Sequence, residues 1–486
     1  MQSHARMSYA EPMVRKTECQ PNLRRMQSHA RMSYAEPMVR KTECQPKPSI
    51  EKDMLTKQIQ YTMITDIIRR IAVAFAVLLP VMSLWGQNTG FITLYGHVCD
   101  SRTSESLFYA SVNLSGTNVN NVSNLDGFFS LKIPESTSPD TNVAISHLGY
   151  HTGTVKVSAF VGHTSSNPLQ IPLVEASILL DPVTVRSADA DELVRLAFYK
   201  VRDNYPTTRV GMTAFYREMI RKGTAKYPVL NEAVIDIDKA PYVGYSPDRV
   251  GIYKGRGCTN YDSSDTLFIK FQGGILTALE IDQAKNPFAG VNLDELLTTY
   301  HFDMEGEEAY DGRTFYRVSF RPNDNVEEIL FKGSIYIDVE SLAIGRVEME
   351  MDLEGREEEA ARIFVIKRPR NVRFFTNHAR YVVNYKCFDG KWYYDYCRVD
   401  LSFTTRKRNS LFRKTFTITE EMAVTDHKVG NIAIEQVNRV RFKDVLSDKV
   451  ADFTDENFWA DYNIIEPDQS IEVIIKRMVR KLSNRR

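Results

Sequence analysis

Beyond residue 90, apolar and polar positions alternate with a period of two in most segments. That is the pattern of strands with one buried face. Four short runs come first: Ile92 to Val98, Ala110 to Leu114, Phe128 to Ile133 and Asn142 to Ser146. Turn residues separate them, at Ser115-Gly116-Thr117-Asn118, Asn124 to Gly127, Pro134 and Gly149. Short strands at near-regular spacing predict a small β-sandwich over 91–175. Asp126-Gly127 ahead of an apolar run predicts a tight turn.

The pattern then changes to a helical period. Leu193, Leu196, Ala197, Tyr199, Lys200, Val201 and Tyr205 make a stripe on a helix over 188–206, stopped by Pro206. Longer alternating runs follow at Gly333 to Val339, Arg346 to Asp352, Arg380 to Tyr385, Lys391 to Tyr396 and Lys414 to Thr419. They predict one strongly curved antiparallel sheet over 207–430, with one wet face and one buried face. The tail, 431–486, carries a predicted helix over 470–482 with Ser470 as N-cap. The two helices are expected to cover the concave side in part and to leave an apolar pocket.

The first 86 residues read differently. Residues 1–21 recur unchanged at 26–46, and 1–62 form a duplicated leader with no sustained periodicity, expected to be disordered. Residues 63–86 have the layout of a secretory signal peptide: Arg69-Arg70, an apolar run from Ile71 to Met82, then Ser83 to Gly86. Cleavage is expected after Gly86, although Leu84 stands where Ala is usual. Without Cys at that point there is no lipobox. A run of about a dozen residues is too short to span a bilayer, which needs about 20, so no transmembrane segment is expected in the mature chain.

Composition adds limits. The chain has 486 residues, 43% hydrophobic and 26% charged, with 62 basic and 62 acidic side chains. Those are globular values, and no basic surplus points to nucleic acid. Residues 1–86 hold 13 of the basic and 7 of the acidic groups, which leaves a net charge of −6 on the rest. Cys99, Cys258, Cys387 and Cys397 remain beyond the leader. Cys387 and Cys397 flank an Asp389-Gly390 turn and could face each other across a hairpin, but free buried thiols are the expected state for all four.

Four ordered motifs carry a resemblance. Tyr95-Gly96-His97-Val98-Cys99-Asp100, Ala110 to Thr117, Asn124-Leu125-Asp126-Gly127-Phe128-Phe129 and Ser146 to Tyr150 resemble the carboxypeptidase-regulatory-like domain. The family pattern has Thr-Asp-x-x-Gly in the third motif, where this chain has Ser123-Asn124-Leu125-Asp126-Gly127. Ile178 to Val185 resembles the segment that closes this domain. The resemblance implies a cell-envelope protein of Bacteroidetes-type bacteria, with the domain as the non-catalytic companion of zinc carboxypeptidases. Asn204-Tyr205-Pro206, Ala214 to Glu218, Asn231-Glu232-Ala233 and Phe271 to Gly274 resemble the region that follows it in such proteins. The hairpin of Ile335 to Asp338 and Leu342 to Ile344 is similar to the curved sheet of periplasmic lipoprotein carriers. Some relatives continue into an outer-membrane barrel. The residues after the sheet leave no room for one, so a TonB-dependent transporter is not expected.

Candidate chemistry is sparse. No His starts a His-x-x-Glu, and His147 and His151 straddle a turn, where i, i+4 spacing makes no shared ligand face. No Gly-x-Ser-x-Gly occurs. Phe271 to Gly274 lacks the Lys of a phosphate loop and reads as a turn. Arg217-Glu218 reads as a structural ion pair, with a polar site in the sheet's concavity as the alternative. Lys367, Arg368, Arg370 and Arg373 read as a solvated strand end. Trp392, Tyr393, Tyr394 and Tyr396 read as packing, with stacking on sugars or acyl chains as the alternative.

The expected fold is mainly β: an N-terminal Ig/transthyretin-like β-sandwich, then a curved antiparallel β-sheet domain with flanking helices. The expected function is non-enzymatic binding or assembly by an exported protein, periplasmic or outer-membrane associated, with an envelope protein, glycan or lipid as partner. A periplasmic lipid or lipoprotein carrier and an envelope hydrolase are the alternatives. No catalytic, cofactor-binding or metal residue is assigned.

Overall fold

The alternating runs become strands in a computed structural model. It describes residues 90–176, 187–224, 226–259, 274–289, 293–324, 326–364, 370–408, 410–428, 430–452, 458–459, 462–469 and 471–476. All belong to one compact unit, Asn88–Arg486. The leader, the export signal and Ile178 to Val185 lie outside the described residues.

Seven strands build the small domain: β1 (Phe91–Asp100), β2 (Ser111–Leu114), β3 (Asn120–Val122), β4 (Phe128–Pro134), β5 (Asn142–Ser146), β6 (Gly153–Lys156) and β7 (Leu169–Leu173). They form two sheets, ordered β4-β1-β7 and β3-β2-β5-β6. Inward residues from both, among them Val98, Val112, Phe129, Leu131, Val143 and Ile145, fill the core between them. The expected sandwich is therefore present. Strands β3, β6 and β7 are not among the runs read from the sequence.

The large domain is a single sheet. Its strands are β8 (Val210–Lys222), β9 (Lys226–Lys239), β10 (Arg249–Thr259), β11 (Tyr300–Tyr310), β12 (Arg313–Pro322), β13 (Phe331–Asp338), β14 (Ile344–Met351), β15 (Val372–Phe388), β16 (Lys391–Lys407), β17 (Arg413–Lys428) and β18 (Ala451–Asp452). The order is β11-β12-β13-β14-β15-β16-β17-β8-β9-β10-β18, antiparallel except for β18 beside β10. Two-residue turns join β11 to β12 and β15 to β16, with Asp311-Gly312 and Asp389-Gly390 all at positive φ. Those are the hairpin turns that Asp-Gly favours. Bulges interrupt the register in β8, β10, β11, β14, β15, β16 and β17 and bend the strands locally.

Both faces of the central strands are covered, against the expectation of one wet face. In β8, ten consecutive residues from Gly211 to Ile220 are buried. One face, called A here, packs under α1 (Ser187–Tyr199), α2 (Val201–Asn204), α3 (Gly274–Glu280) and α4 (Leu293–Thr299). Ala190, Val194, Ala197, Ile275, Leu279 and Leu296 meet Met212, Ala214, Ile235 and Ile337 there. Of the expected helical stripe, Ala197, Val201 and Tyr205 are buried, while Leu196 and Tyr199 are 37% and 62% exposed and Ala190 and Val194 take the inward places instead. A fifth helix, α5 (Glu357–Phe364), packs on β15 with a smaller core around Phe374, Phe403 and Phe416.

The opposite face, B, is covered by the small domain and the tail. Phe215, Val234, Tyr396 and Ala423 pack against Val122, Trp459, Ile464 and Ile465. The C-terminal helix, described over residues 471–476, lies on this face too, with Ile471 and Ile474 on Met219 and Leu230. It was expected beside the other helix, but residues 215 and 219 point away from 214 and 216 in a pleated strand. Asp468 Oδ1 accepts from Ile471 N at 2.9 Å; Ser470, the expected N-cap, lies outside the described residues. Residues 477–482 of that predicted helix lie outside the described residues.

Candidate functional site

A row of asparagines joins the small domain to face B. Asn118 Nδ2 donates to His427 O (2.9 Å), Asn120 Nδ2 to Asp395 Oδ1 (3.0 Å) and Asn121 Nδ2 to Ile464 O (2.8 Å). Asn124 explains the departure from the family motif. Its Oδ1 accepts from Asp126 N and Phe128 N at 3.0 Å, as an aspartate would. Its Nδ2 also donates to Pro467 O at 3.1 Å, which a carboxylate cannot do. The tail completes the joint: Asn463 exchanges hydrogen bonds with the backbone of Lys132 on the edge strand β4 (2.7 and 3.1 Å). Lys132 Nζ donates to the carbonyls of Trp459 and Tyr462 (2.6 and 2.5 Å).

Beneath the tail, five neighbouring strands place charges of alternating sign in register. Arg398 faces Glu421, Glu421 faces Arg217, Arg217 faces Glu232, and Glu232 faces Arg256. Arg217 donates to Glu232 Oε1 from Nε (2.9 Å) and Nη2 (2.7 Å), and to Ile465 O (2.8 Å). Arg256 donates to Glu232 Oε2 at 2.9 Å, and Arg398 binds both Glu421 and Asp400. Burial works against the Glu232 carboxylate, but Arg217 and Arg256 outweigh it and hold its pKa below the usual range. Glu421, Arg217 and Glu232 each have opposite charges on both neighbouring strands, which is what keeps so many ions tolerable in a dry interior.

An open groove of about 650 Å³ lies where the small domain meets β11 to β14. Gly149 N donates to Ala309 O at 2.9 Å and so tethers the small domain to edge strand β11. Five carboxylates line the groove, Glu175, Glu305, Glu307, Glu308 and Glu348, against one guanidinium, Arg317. Arg317 pairs with Glu305 (2.7 Å) and Glu308 (2.8 Å) and lies over the Tyr336 ring. The remaining charge is negative, so the groove suits cationic groups.

Face A holds the most perturbed acids. Glu218 and Glu420 face each other in register on β8 and β17, both buried. Asn231 Nδ2 donates to Glu218 Oε1 (2.8 Å) and Tyr216 Oη to Glu218 Oε2 (3.2 Å), while Glu420 Oε2 has no hydrogen-bond partner. Burial pushes the Glu218 pKa up to about 7. Burial and then the neighbouring Glu218 push Glu420 to about 8. The pair is thus able to hold a proton at neutral pH. Further along β9, Lys239 Nζ sits 2.8 Å from Asp248 and 2.7 Å from Asp282, and Tyr385 Oη donates to Asp282 at 2.8 Å. This pins the chain after α3 to the sheet.

The structure separates the sequence candidates. Arg217 and Glu218 are not paired with each other: adjacent strand residues point to opposite faces, Arg217 into the ladder and Glu218 toward α3. Gly274 is the first residue of α3, and Phe271 to Gly273 lie outside the described residues. Trp392, Tyr394 and Tyr396 are core residues on both faces. Arg373 pairs with Glu358; Lys367 and Arg368 lie outside the described residues. Cys387 faces Trp392 and Cys397 faces Val383, so the two are not hairpin partners, and none of the four described cysteines is in a disulfide. Among the described residues, no group of three or more His, Cys, Asp or Glu side chains is placed to hold a metal. Glu420, Glu232 and the asparagine row were missed. The one available signal was their polarity within strands that read as half-buried.

One comparison identifies the small domain. Residues 94–185 match the family model of the CarboxypepD_reg-like domain. No curated protein matches the chain. Among solved structures, it is similar to a DUF1329 family protein from Desulfovibrio piger, at 13% identity and TM-score 0.20, over 49% of this chain and 92% of that one. It is also similar to lipovitellin, at 9% identity and TM-score 0.21, over 50% of this chain and 27% of that one. Superpositions this loose say nothing about ligand.

Proposed function

We propose that the chain is an exported, non-enzymatic protein of the cell envelope, working in the periplasm or at the outer membrane as a binding or assembly module. The observation that carries this is the buried joint between the CarboxypepD_reg-like domain and face B. Polar side chains from β3, β4 and the tail are all spent on holding two domains together, and the groove beside that joint is left open. The groove takes a cationic segment of an envelope partner. Fractionation with N-terminal sequencing tests the compartment, with a mature start near Gln87 as the expected result. A photo-crosslinking residue at position 307 tests the groove: a defined adduct, lost in a Glu305→Gln/Glu308→Gln background, is expected. A cytoplasmic chain that keeps its leader, or adducts indifferent to those changes, would overturn the reading.

Glu218 and Glu420 favour a second reading, an envelope hydrolase, because paired carboxyls of raised pKa supply general acid chemistry. Turnover of chromogenic glycosides or esters, abolished by Glu218→Gln, would establish it. The carrier reading needs an apolar cavity over face A. The cavity beneath α3, bounded by Ile252, Ile275, Val440 and Leu446, is only about 10 Å³.

A further inference from the structure

We propose that the β16–β17 hairpin tip docks on an anionic lipid surface. The side chains at this tip, Leu411 and Phe412, are 98% and 84% exposed. They follow Arg406-Lys407-Arg408 and precede Arg413-Lys414. Scattered exposed apolar residues are ordinary; two side by side at the apex of a projecting hairpin, inside a basic collar, are not. The tip is shaped by its own hydrogen bonds: Ser410 N donates to Lys407 O (3.1 Å) and Phe412 N to Ser410 Oγ (3.1 Å).

Neighbouring turns extend the collar. Arg408 N donates to Asn371 O and Gly223 N to Thr415 O, both at 2.9 Å, so segments 221–226, 370–373 and 406–414 meet at one end of the sheet. Together they carry ten Lys and Arg and no Asp or Glu, in a chain whose overall charge is zero. Glu358 on α5 reaches in to pair with Arg373. The small domain contacts β16 at Asp395, toward the other end of the strand, so it does not cover the tip.

The chemistry selects lipid over protein. A stable protein interface needs about 800 Å² from each partner, more than a two-residue apex offers. A bilayer interface accepts a small apolar wedge whole, while cations around it remain at the level of the phosphates. Neither the groove nor the compartment enters this argument.

Co-sedimentation of the Asn88–Arg486 unit with vesicles tests it. That unit contains every described strand and leaves out the apolar run Ile71 to Met82, which would bind lipid by itself. Binding is expected to phosphatidylcholine vesicles containing phosphatidylglycerol, to weaken at 0.5 M salt, and to be absent with phosphatidylcholine alone. Leu411→Ala/Phe412→Ala should weaken it at least about tenfold. Lys407→Glu/Arg408→Glu/Arg413→Glu should weaken it by about 100-fold or more. Leu411→Trp should show a blue-shifted emission with the anionic vesicles only. No binding to phosphatidylglycerol, equal binding to both lipids, or indifference to Leu411 and Phe412 would overturn the proposal. The last result would leave a general polyanion site in its place.

Discussion

Replacing Glu420 by Gln tests the electrostatics of face A, because the amide keeps the shape and removes the titration. In the folded protein the Glu420 pKa is about 8, against an ordinary 4.5, and burial is the main cause. A carboxyl whose folded pKa is raised binds more protons in the native state between those two values. Its contribution is therefore fully present below pH 4.5 and is lost as pH rises toward 8. At about 1.36 kcal/mol per pH unit, wild type is penalised by about 1 kcal/mol at pH 5.5 and by about 4 to 5 kcal/mol at pH 8.5. Glu420→Gln escapes this, so it should gain about 3 kcal/mol relative to wild type between the two pH values. Glu218 is present in both proteins, and burial dominates its own shift, so it cancels to first order. Urea unfolding of both proteins at pH 5.5 and 8.5 measures the difference. A stability gap that is the same at both pH values, or one that favours wild type at pH 8.5, would show that Glu420 is ionised in the fold and refute the reasoning.

Four other substitutions probe the joint and the sheet. Arg217→Ala should cost about 3–5 kcal/mol by urea unfolding, since it strands charge beneath the tail; Glu232→Ala should cost more, because both Arg217 and Arg256 lose a partner. Asn124→Asp, which restores the family residue, should destabilise by about 1–3 kcal/mol by opposing a carboxylate to Pro467 O; no change would mean that this hydrogen bond is dispensable. Gly333→Ala should prevent soluble folding or lower the melting temperature sharply, because a Cβ there would lie 1.9 Å from Glu348 O across the β13–β14 ladder, where backbone cannot yield.

The period-two pattern determined that the chain is mainly β, and the Asp389-Gly390 pair placed a hairpin through local turn sterics alone. The order of Gly, Asn and Asp motifs between 95 and 150 determined the small domain, because each motif shapes a turn or strand from nearby residues. Alternation also fixed which residues of a strand share a face, but it could not say what lies over either face. Arg217 therefore read as an ion pair with its neighbour Glu218, and nothing marked Glu232 or Asn120 as buried. Only tertiary structure brought the tail and the small domain over face B and turned those positions into a buried ladder and a joint. It likewise set the C-terminal helix apart from α1, since helical amphipathicity names a buried stripe and not the surface that buries it. The pairing of Glu218 with Glu420 depended on register between strands about 200 residues apart, which is decided by the whole sheet closing and not by either local sequence.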